Sequence, residues 1–344
     1  MNNWRFMNEI GDVAYNLAVS EVLLRSVGSE RANNTLRISF CNPSAVVLAI
    51  QHIPHKVLNV QELRALKFNI GRRPTSGPIL FFTDKQVAVQ LFMKDNRPTS
   101  DSLKNKAIET LLTALKELGI NAYFEEPYGI FVNKRMLAYV DTFRINHALG
   151  LTFYFNVEND EEYRKRILLD NTIAYAKSPA LYTNLKYELG NQYSHTTFTE
   201  TIKSAFKREF SAGFINQRLT DYEIMLLRSH IEKHTMSEWI YEYRNKNIAI
   251  SPDVKSVTVD TRGGFVTVIA STNRGLITNI HISGDFYIYP PEALEALEAG
   301  LKFAPADESY IEDYVKRYIK VGKVELYGID EEEIVEAIRR ATIP

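Results

Sequence analysis

The sequence predicts an α+β protein: a mixed, largely antiparallel sheet with flanking helices, followed by a small α+β C-terminal domain. Alternating apolar runs typical of strands come in neighbouring groups, and helical segments interrupt them without a regular β-α-β order. The 344 residues exceed one ordinary domain, and near residue 245 the pattern changes to closely spaced short strands. We therefore expect an N-terminal domain over residues 1–245, a C-terminal domain over residues 246–344, and a linker at residues 244–247.

The helical spacing and the strand-like alternation of apolar residues both occur in the first two-thirds of the chain. Helical spacing of apolar residues predicts helices at residues 12–27, 61–67, 103–118, 161–169, 197–210 and 221–233. Alternation and β-branched or aromatic content predict strands at residues 4–7, 36–40, 46–50, 79–82, 87–92, 123–124, 129–140 and 149–157. We expect the strands at 36–40 and 46–50 to share one sheet. Those at 79–82 and 87–92 are expected to form a hairpin closed at residues 84–85.

The last hundred residues contain their own strands and helices. Strands are predicted at residues 256–260, 265–270 and 276–282, and helices at residues 291–301 and 310–319. A final helix begins behind Asp330, whose carboxylate can cap it, and Glu333 completes a capping box. A segment with this content is large enough to form a separate domain.

Composition and charge exclude several classes of function. Forty-one basic and 42 acidic side chains give a net charge of −1, so no bulk charge favours nucleic acid or a membrane surface. No stretch approaches the roughly 18 consecutive apolar residues of a spanning helix. Cys41 is the single cysteine, which excludes an intramolecular disulfide and cysteine-rich zinc sites. We expect a cytoplasmic protein in which Cys41 is a buried structural residue.

Four histidines are considered as ligands or catalysts. His230 and His234 lie one helical turn apart, the spacing of a helical zinc pair, but no third ligand is evident and the helix has the composition of an exposed face. No metal site is predicted there. His52 and His55 flank Pro54 on a predicted loop, and we expect both at the surface.

Short motifs occur in one order along nearly the whole chain: residues 16–21 (NLAVSE), 43–51 (PSAVVLAIQ), 71–78 (GRRPTSGP), 130–139 (IFVNKRMLAY) and 284–286 (GDF). In this order and spacing they resemble the lipoate-protein ligase family, the lipoate branch of the biotin/lipoate ligase superfamily. The resemblance implies the fold of that family over the first domain and an accessory domain at the C-terminus.

The resemblance also implies a chemistry. Such ligases activate the lipoate carboxyl with ATP and magnesium and hold the lipoyl-adenylate. They then transfer the acyl group to a lysine of a carrier, such as H protein or an E2 lipoyl domain. The family's catalytic lysine aligns with Arg135, next to Lys134. The residues that match or occupy its substrate and adenylate-binding positions are Arg72, Arg73, Thr75, Ser76, Gly77 and Thr152.

The sequence departs from the family pattern at positions that the resemblance links to substrate binding and catalysis. Three consecutive glycines of the family become Ser76, Gly77 and Pro78, and proline has no N–H to donate to a phosphate. The histidine expected further on is Phe82. Arginine at position 135 keeps the charge of lysine but has a wider planar head, so the exchange is not conservative at a tight site.

Two hypotheses follow. The leading one is a ligase-like protein whose ligase activity is impaired or lost and which binds a lipoyl or related acyl group, a lipoyl-carrier protein or an active ligase partner. The alternative is an active ATP-dependent lipoate-protein ligase with a rearranged site, in which Arg135 or Lys134 supplies the positive charge. A changed acyl substrate, suggested by the aromatic residues Phe81, Phe82 and 153–155, also stays open.

Overall fold

A computed structural model describes residues 2–96, 101–126, 129–145, 147–169, 181–243, 254–261 and 264–343. Among these residues, none of the helices combines the length and the apolar character needed to cross a bilayer. The linker predicted at residues 244–247 lies outside the described residues, so the domain boundary stays a prediction.

The predicted helices are found close to their predicted positions, and two further short helices, Pro54–Val57 and Leu185–Leu189, were not predicted. The helices are α1 (Val13–Gly28), α2 (Pro54–Val57), α3 (Val60–Ala65), α4 (Ser102–Glu117), α5 (Glu161–Ile167), α6 (Leu185–Leu189), α7 (His195–Glu209), α8 (Asp221–Thr235), α9 (Ala293–Leu301), α10 (Glu308–Gly322) and α11 (Glu331–Thr342). Local signals set their ends. Asp12 caps α1 by accepting from the Tyr15 N–H, and the predicted capping box of Asp330 and Glu333 begins α11.

The strands form four sheets. They are β1 (Asn2–Gly11), β2 (Thr35–Cys41), β3 (Ala45–Leu48), β4 (Asn69–Arg72), β5 (Leu80–Phe82), β6 (Gln86–Lys94), β7 (Tyr123–Glu125), β8 (Gly129–Val132), β9 (Arg135–Ile145), β10 (Ala148–Asn156), β11 (Ala212–Asn216), β12 (Val254–Thr261), β13 (Gly264–Asn273), β14 (Leu276–Gly284), β15 (Tyr287–Tyr289) and β16 (Glu325–Tyr327). The main sheet has eight strands in the order β11-β1-β2-β6-β10-β9-β8-β7.

The main sheet is mostly antiparallel, which confirms the predicted fold class. Only the pairs β1–β11 and β1–β2 are parallel; the other five neighbouring pairs are antiparallel. Helices α4 and α7 contribute Leu111, Leu115, Phe198 and Phe206 to a core with apolar side chains of this sheet. Burial of such side chains is the main favourable term in folding. Strands β9 and β10 of this sheet carry two of the predicted site residues, Arg135 and Thr152.

A second sheet, in the order β4-β3-β5, carries the arginine motif. Two predictions about this region are wrong. Strands β2 and β3 lie in different sheets, and β5 does not form a hairpin with β6, because β5 pairs with β3 while β6 pairs with β2 and β10. The chain reverses between β5 and β6 through hydrogen bonds between Thr83 and Gln86. All three residues of β5 are buried, so the turn connects two stacked layers rather than two neighbours in one sheet.

The C-terminal region has a hydrophobic core of its own. Strands β12, β13 and β14 form an antiparallel sheet, and α9 and α11 pack against it. Its core runs from Val266 to Ala341 in sequence, with Val268, Ile282 and Ile338 completely buried. Phe265 instead joins a cluster of the N-terminal region. The C-terminal region is thus a compact unit that also contacts the arginine motif.

Candidate functional site

The arginine motif forms a buried loop, residues 72–79, between β4 and β5; we call it the site loop. Arg72 is fully buried, and its guanidinium donates to the carbonyl oxygens of Ala49, Ile50 and Ile240 at 2.9–3.2 Å. Trp239 in turn donates its indole N–H to the Arg72 carbonyl at 2.9 Å. These bonds tie the loop to the chain that follows α8, so Arg72 has a structural role in this conformation.

Arg73 is also buried and bonded to its own chain. Its Nη2 donates to the carbonyl oxygens of Ser76 at 3.1 Å and Pro78 at 2.9 Å, and its Nε donates to the Thr75 hydroxyl at 3.0 Å. Thr75 donates to Asp141 Oδ2 at 2.9 Å, and Arg73 Nε lies 3.6 Å from the same oxygen. The guanidinium therefore folds the loop around itself, with Asp141 as its counter-ion.

A segment of the C-terminal region, residues 284–288, covers the site loop; we call it the closing segment. The Ser76 hydroxyl donates to the Ile288 carbonyl at 3.0 Å and accepts from the Ile288 N–H at 3.2 Å. Gly77 has φ = +112°, and a Cβ there would collide with the hydroxyl of Tyr139. Tyr287 reaches the same place, where its hydroxyl bonds to that of Tyr139 and donates to the Val140 carbonyl at 2.9 Å.

Gln51 and His52 also contribute to the contact between the site loop and the closing segment. One nitrogen, Gln51 Nε2, lies 3.0–3.1 Å from the carbonyl oxygens of Gly77, Gly284 and Phe286. His52 Nε2 lies 2.8 Å from Asp285 Oδ1, and both side chains are almost completely buried. The prediction that His52 lies at the surface is wrong, because its ring is buried against Asp285 of the closing segment. His55 is exposed, as predicted.

Lys134 and Arg135, the two residues predicted at the catalytic-lysine position, lie at the β8–β9 turn. Asn133 and Lys134 both have positive φ, 49° and 64°, as in a type I′ hairpin turn, and Lys134 is exposed. Arg135 begins β9, lies 3.7 Å from Glu188 and stacks over the ring of Tyr187 at 4.8 Å. These contacts hold the Arg135 guanidinium against α6. A catalytic role for either residue stays a prediction.

Thr152 lies with Arg73 and Thr75 at one small cavity of about 40 Å³, which Glu21 and Asp141 also line. Thr152 accepts a hydrogen bond from Gln90 at 3.2 Å. Burial raises the pKa of Asp141 despite the charge of Arg73, and its Oδ1 has no hydrogen-bond partner in the described part of the chain. Because a buried water needs at least about 10–15 Å³, this cavity has room for roughly three.

A second cavity of about 60 Å³ lies on the other side of Tyr154, among Phe81, Tyr139, Tyr182 and Arg164. Phe82, which the resemblance predicts at the position of the family's histidine, packs edge-on against Tyr154, with 5.4 Å between the ring centroids. The aromatic side chains thus fill the space around the loop, and neither cavity has the volume for a lipoyl chain and its dithiolane ring.

A much larger cleft of about 870 Å³ opens between the site loop and the C-terminal region. Its lining includes Thr75 and Ser76 of the site loop and the aromatic side chains of Phe143, Tyr289 and Tyr327. Its charged lining residues are Asp101, Lys104, Glu126, Arg144, Glu292, Glu295, Lys323 and Glu325. Five carboxylates against three basic groups make the lining net acidic.

Two other sequence interpretations can be compared with the structure. His234 is buried rather than exposed, and its Nε2 bonds to Glu21 Oε1 at 2.8 Å, so the predicted exposed face of α8 is wrong at this position. Cys41 is buried, as predicted, and burial raises the pKa of its thiol to about 12. In the described residues, no group of three or more His, Cys, Asp or Glu side chains is arranged to hold a metal ion.

Sequence reasoning missed Gln51, His52 and Asp285 as members of this site. Gln51 and Asp285 stand inside segments that carry the family resemblance, 43–51 and 284–286, and His52 directly follows the first of them; this proximity was the available signal. The fold and this loop define the class of protein. The model of the lipoyl protein ligase A/B catalytic domain matches residues 12–207, more than half of the chain, and the chain therefore belongs to that family.

Individual relatives agree with this assignment. "Lipoate-protein ligase A subunit 2" of Thermoplasma acidophilum is 28% identical over 76 residues, which cover 22% of this chain and 78% of that protein. The crystal structure of Plasmodium falciparum LipL1 in complex with lipoate covers 98% of both chains with a TM-score of 0.73 and 12% identity. A bipartite lipoate-protein ligase of T. acidophilum, described with its E2 lipoyl domain, covers 72% of this chain and all of its own, with a TM-score of 0.63 and 15% identity. At these identities the structural similarities show the fold alone.

Proposed function

We propose that this chain is a lipoate-protein ligase family member whose ligase activity is lost and which binds a lipoyl-carrier protein. One observation carries the first half of the proposal: the site loop is hydrogen-bonded to its own chain and covered by the closing segment. The Arg73 guanidinium already donates hydrogen bonds to the Thr75 hydroxyl and to the carbonyl oxygens of Ser76 and Pro78. Pro78 also lacks the N–H that a phosphate-binding loop would use.

Charge supports the second half. A carrier protein presents a lysine, and the net acidic cleft suits a cationic side chain better than an anionic one. Thr75 and Ser76 are among the residues that line this cleft, so a lysine that enters it comes close to the site loop. The T. acidophilum ligase named above is described with its E2 lipoyl domain, which makes a lipoyl domain the first carrier to test.

The activity assay uses purified protein, ATP, magnesium, lipoate and an E2 lipoyl domain, and follows the intact mass of the lipoyl domain. We expect no mass increase, while an active ligase under the same conditions lipoylates the domain completely. Lipoylation by this chain at a comparable rate contradicts the loss of activity.

The binding assay measures the affinity of the lipoyl domain by calorimetry. Reversing two exposed charges of the cleft, Glu292→Lys with Glu325→Lys, is expected to weaken binding about tenfold or more, since like-charge contacts at an interface each cost on the order of 1 kcal/mol. Glu209→Lys with Glu232→Lys, two exposed glutamates outside the cleft lining, is the matched control. Equal affinity of both variants removes the cleft as the carrier site.

The alternative is an active ligase that admits substrates through the cleft, and the cleft volume of about 870 Å³ is the observation that favours it. It requires a cation at the reacting carboxyl, which Arg135 or Lys134 would supply. In that case Arg135→Ala and Lys134→Ala differ sharply in pyrophosphate release with lipoate and ATP. Negligible release by the parent protein and by both variants rejects it.

A further inference from the structure

The Asp285 side chain places a carboxylate directly on the site loop. Its side chain is 7% exposed, and Oδ1 contacts two groups of the N-terminal region, His52 Nε2 at 2.8 Å and the Ile79 backbone N–H at 3.3 Å. A buried carboxylate is costly unless donors replace its hydration. Here each donor directly follows a motif segment, 43–51 for His52 and 71–78 for Ile79, while the carboxylate comes from the C-terminal region.

The tautomer of His52 follows from its other contact. Its Nδ1 accepts the Ala49 backbone N–H at 2.9 Å, so the ring proton is on Nε2 and is donated to Asp285. Burial lowers the pKa of His52 more than Asp285 raises it, which keeps the ring neutral. Asp285 Oδ1 therefore accepts from two neutral N–H donors, the arrangement of an anion-binding position.

A buried guanidinium faces the same place. Arg164 and Asp285 both line the cavity of about 60 Å³, and Arg164 lies between the rings of Phe81 and Tyr182 at 4.8 and 4.5 Å. Burial opposes the charge of Arg164, but Asp160 and, more weakly, Asp285 raise its pKa. The positive field of Arg164 thus reaches the position that the Asp285 carboxylate occupies.

The backbone fixes Asp285 in that position. Gly284 has φ = +154°, and a Cβ there would collide with the Phe265 carbonyl oxygen, so only glycine fits before the aspartate. The Asp285 N–H donates to the same carbonyl at 3.0 Å. Gln51 holds the carbonyl groups of Gly284 and Phe286 on either side, both at 3.0 Å.

We propose that the Ile79 N–H and the His52 Nε2–H, facing Arg164, form an anion-binding position of the site loop, and that Asp285 is the built-in ligand that occupies it. A carboxylate or phosphate anion of a small molecule binds there only when Asp285 is withdrawn or removed. The C-terminal region thereby closes the site with a charge as well as with its bulk. This goes beyond the proposed loss of ligase activity, because it names the group that competes with an external ligand.

The test removes the carboxylate and supplies one from solution. Asp285→Ala lacks a group that formate can replace, so formate and, separately, inorganic phosphate are titrated into the full-length variant at constant ionic strength, with chloride as the reference salt. Stability is measured by urea unfolding. At ten times its Kd, a bound anion lowers the unfolding equilibrium constant about 11-fold. The parent protein and Asp313→Ala, an exposed control in α10, should respond to formate and phosphate as to chloride.

Saturable stabilisation of Asp285→Ala by formate identifies a carboxylate site, and by phosphate a phosphate site; either result supports the proposal. No difference from chloride overturns it. If Asp285→Ala does not fold in any of these salts, Asp285→Asn keeps the shape without the charge. Its Ile79 amide proton is then expected to exchange at least tenfold faster than in Asp313→Ala, because a neutral amide oxygen is the weaker acceptor. An unchanged exchange rate overturns the proposal as well. Neither experiment contains ATP, lipoate or a carrier, so the outcome is independent of the ligase assay.

Discussion

Ser76 offers the sharpest test of the closed site, because its hydroxyl makes two hydrogen bonds to one residue of the closing segment. It donates to the Ile288 carbonyl at 3.0 Å and accepts from the Ile288 N–H at 3.2 Å, and the Ser76 side chain is buried. Ser76→Ala removes the hydroxyl without adding bulk. Both polar groups of the Ile288 backbone then lose this partner inside the domain contact.

The size of the effect follows from these two bonds. An unsatisfied buried donor or acceptor costs about 1–3 kcal/mol, and a carbonyl oxygen, with two lone pairs, lies at the lower end. We expect the contact between the closing segment and the site loop to weaken by about 2 kcal/mol. This corresponds to an opening equilibrium roughly 30-fold more favourable.

Native-state hydrogen exchange of the Ile288 amide measures this opening. In Ser76→Ala it should exchange roughly 30-fold faster than in the parent protein, while core amides of β10 keep their rates. The matched control is Ser283→Ala, a buried serine next to the closing segment whose hydroxyl has no partner among the described residues. An Ile288 rate within threefold of the parent in Ser76→Ala would refute the inference that these bonds hold the site shut.

Three further predictions concern buried polar groups. Glu223→Gln leaves Arg5 without the carboxylate that binds it at 2.6 and 2.7 Å, and should lower the free energy of unfolding by about 3–5 kcal/mol in urea denaturation. Burial opposes ionisation of Glu21, but hydrogen bonds led by that from His234 overcome it and lower its pKa to about 2. A depressed carboxyl pKa stabilises the fold above its unfolded value of about 4.5, so stability should fall between pH 4.5 and 2, and Glu21→Gln should flatten this part of the profile. Cys41, with its thiol pKa raised to about 12, should react with a thiol reagent only in denaturant; rapid labelling of the native protein would contradict its burial.

Elements whose signals are local could be predicted from the sequence. The helix predicted at residues 12–27 is observed at Val13–Gly28, because its apolar periodicity and the Asp12 cap act within a few residues. The capping box of α11 is the same case. The family also followed from the order of short motifs, since each motif occupies only a few neighbouring residues.

Sheet membership could not be predicted in the same way. Strands β5 and β6 are close in sequence and both apolar, and this pattern suits a hairpin as well as two stacked layers. The β3 partner of β5 and the β10 partner of β6 decide between them, and both lie outside the short segment that the pattern describes. The burial of His52 has the same origin, because its partner Asp285 is 233 residues away.

By itself, the sequence determined the fold class, most helices and the family, and the resemblance predicted the positions at which the family motifs are altered. Only the tertiary structure decided what those altered positions do. Ser76 bonds to Ile288, 212 residues further on, and Phe82 packs on Tyr154. Helix signals are satisfied by neighbours in the chain. The site loop, by contrast, forms its hydrogen bonds and packing contacts with residues that are distant in sequence and that only folding brings next to it. The sequence alone therefore shows that Ser76 is not a glycine, and the structure shows the contact that its hydroxyl makes.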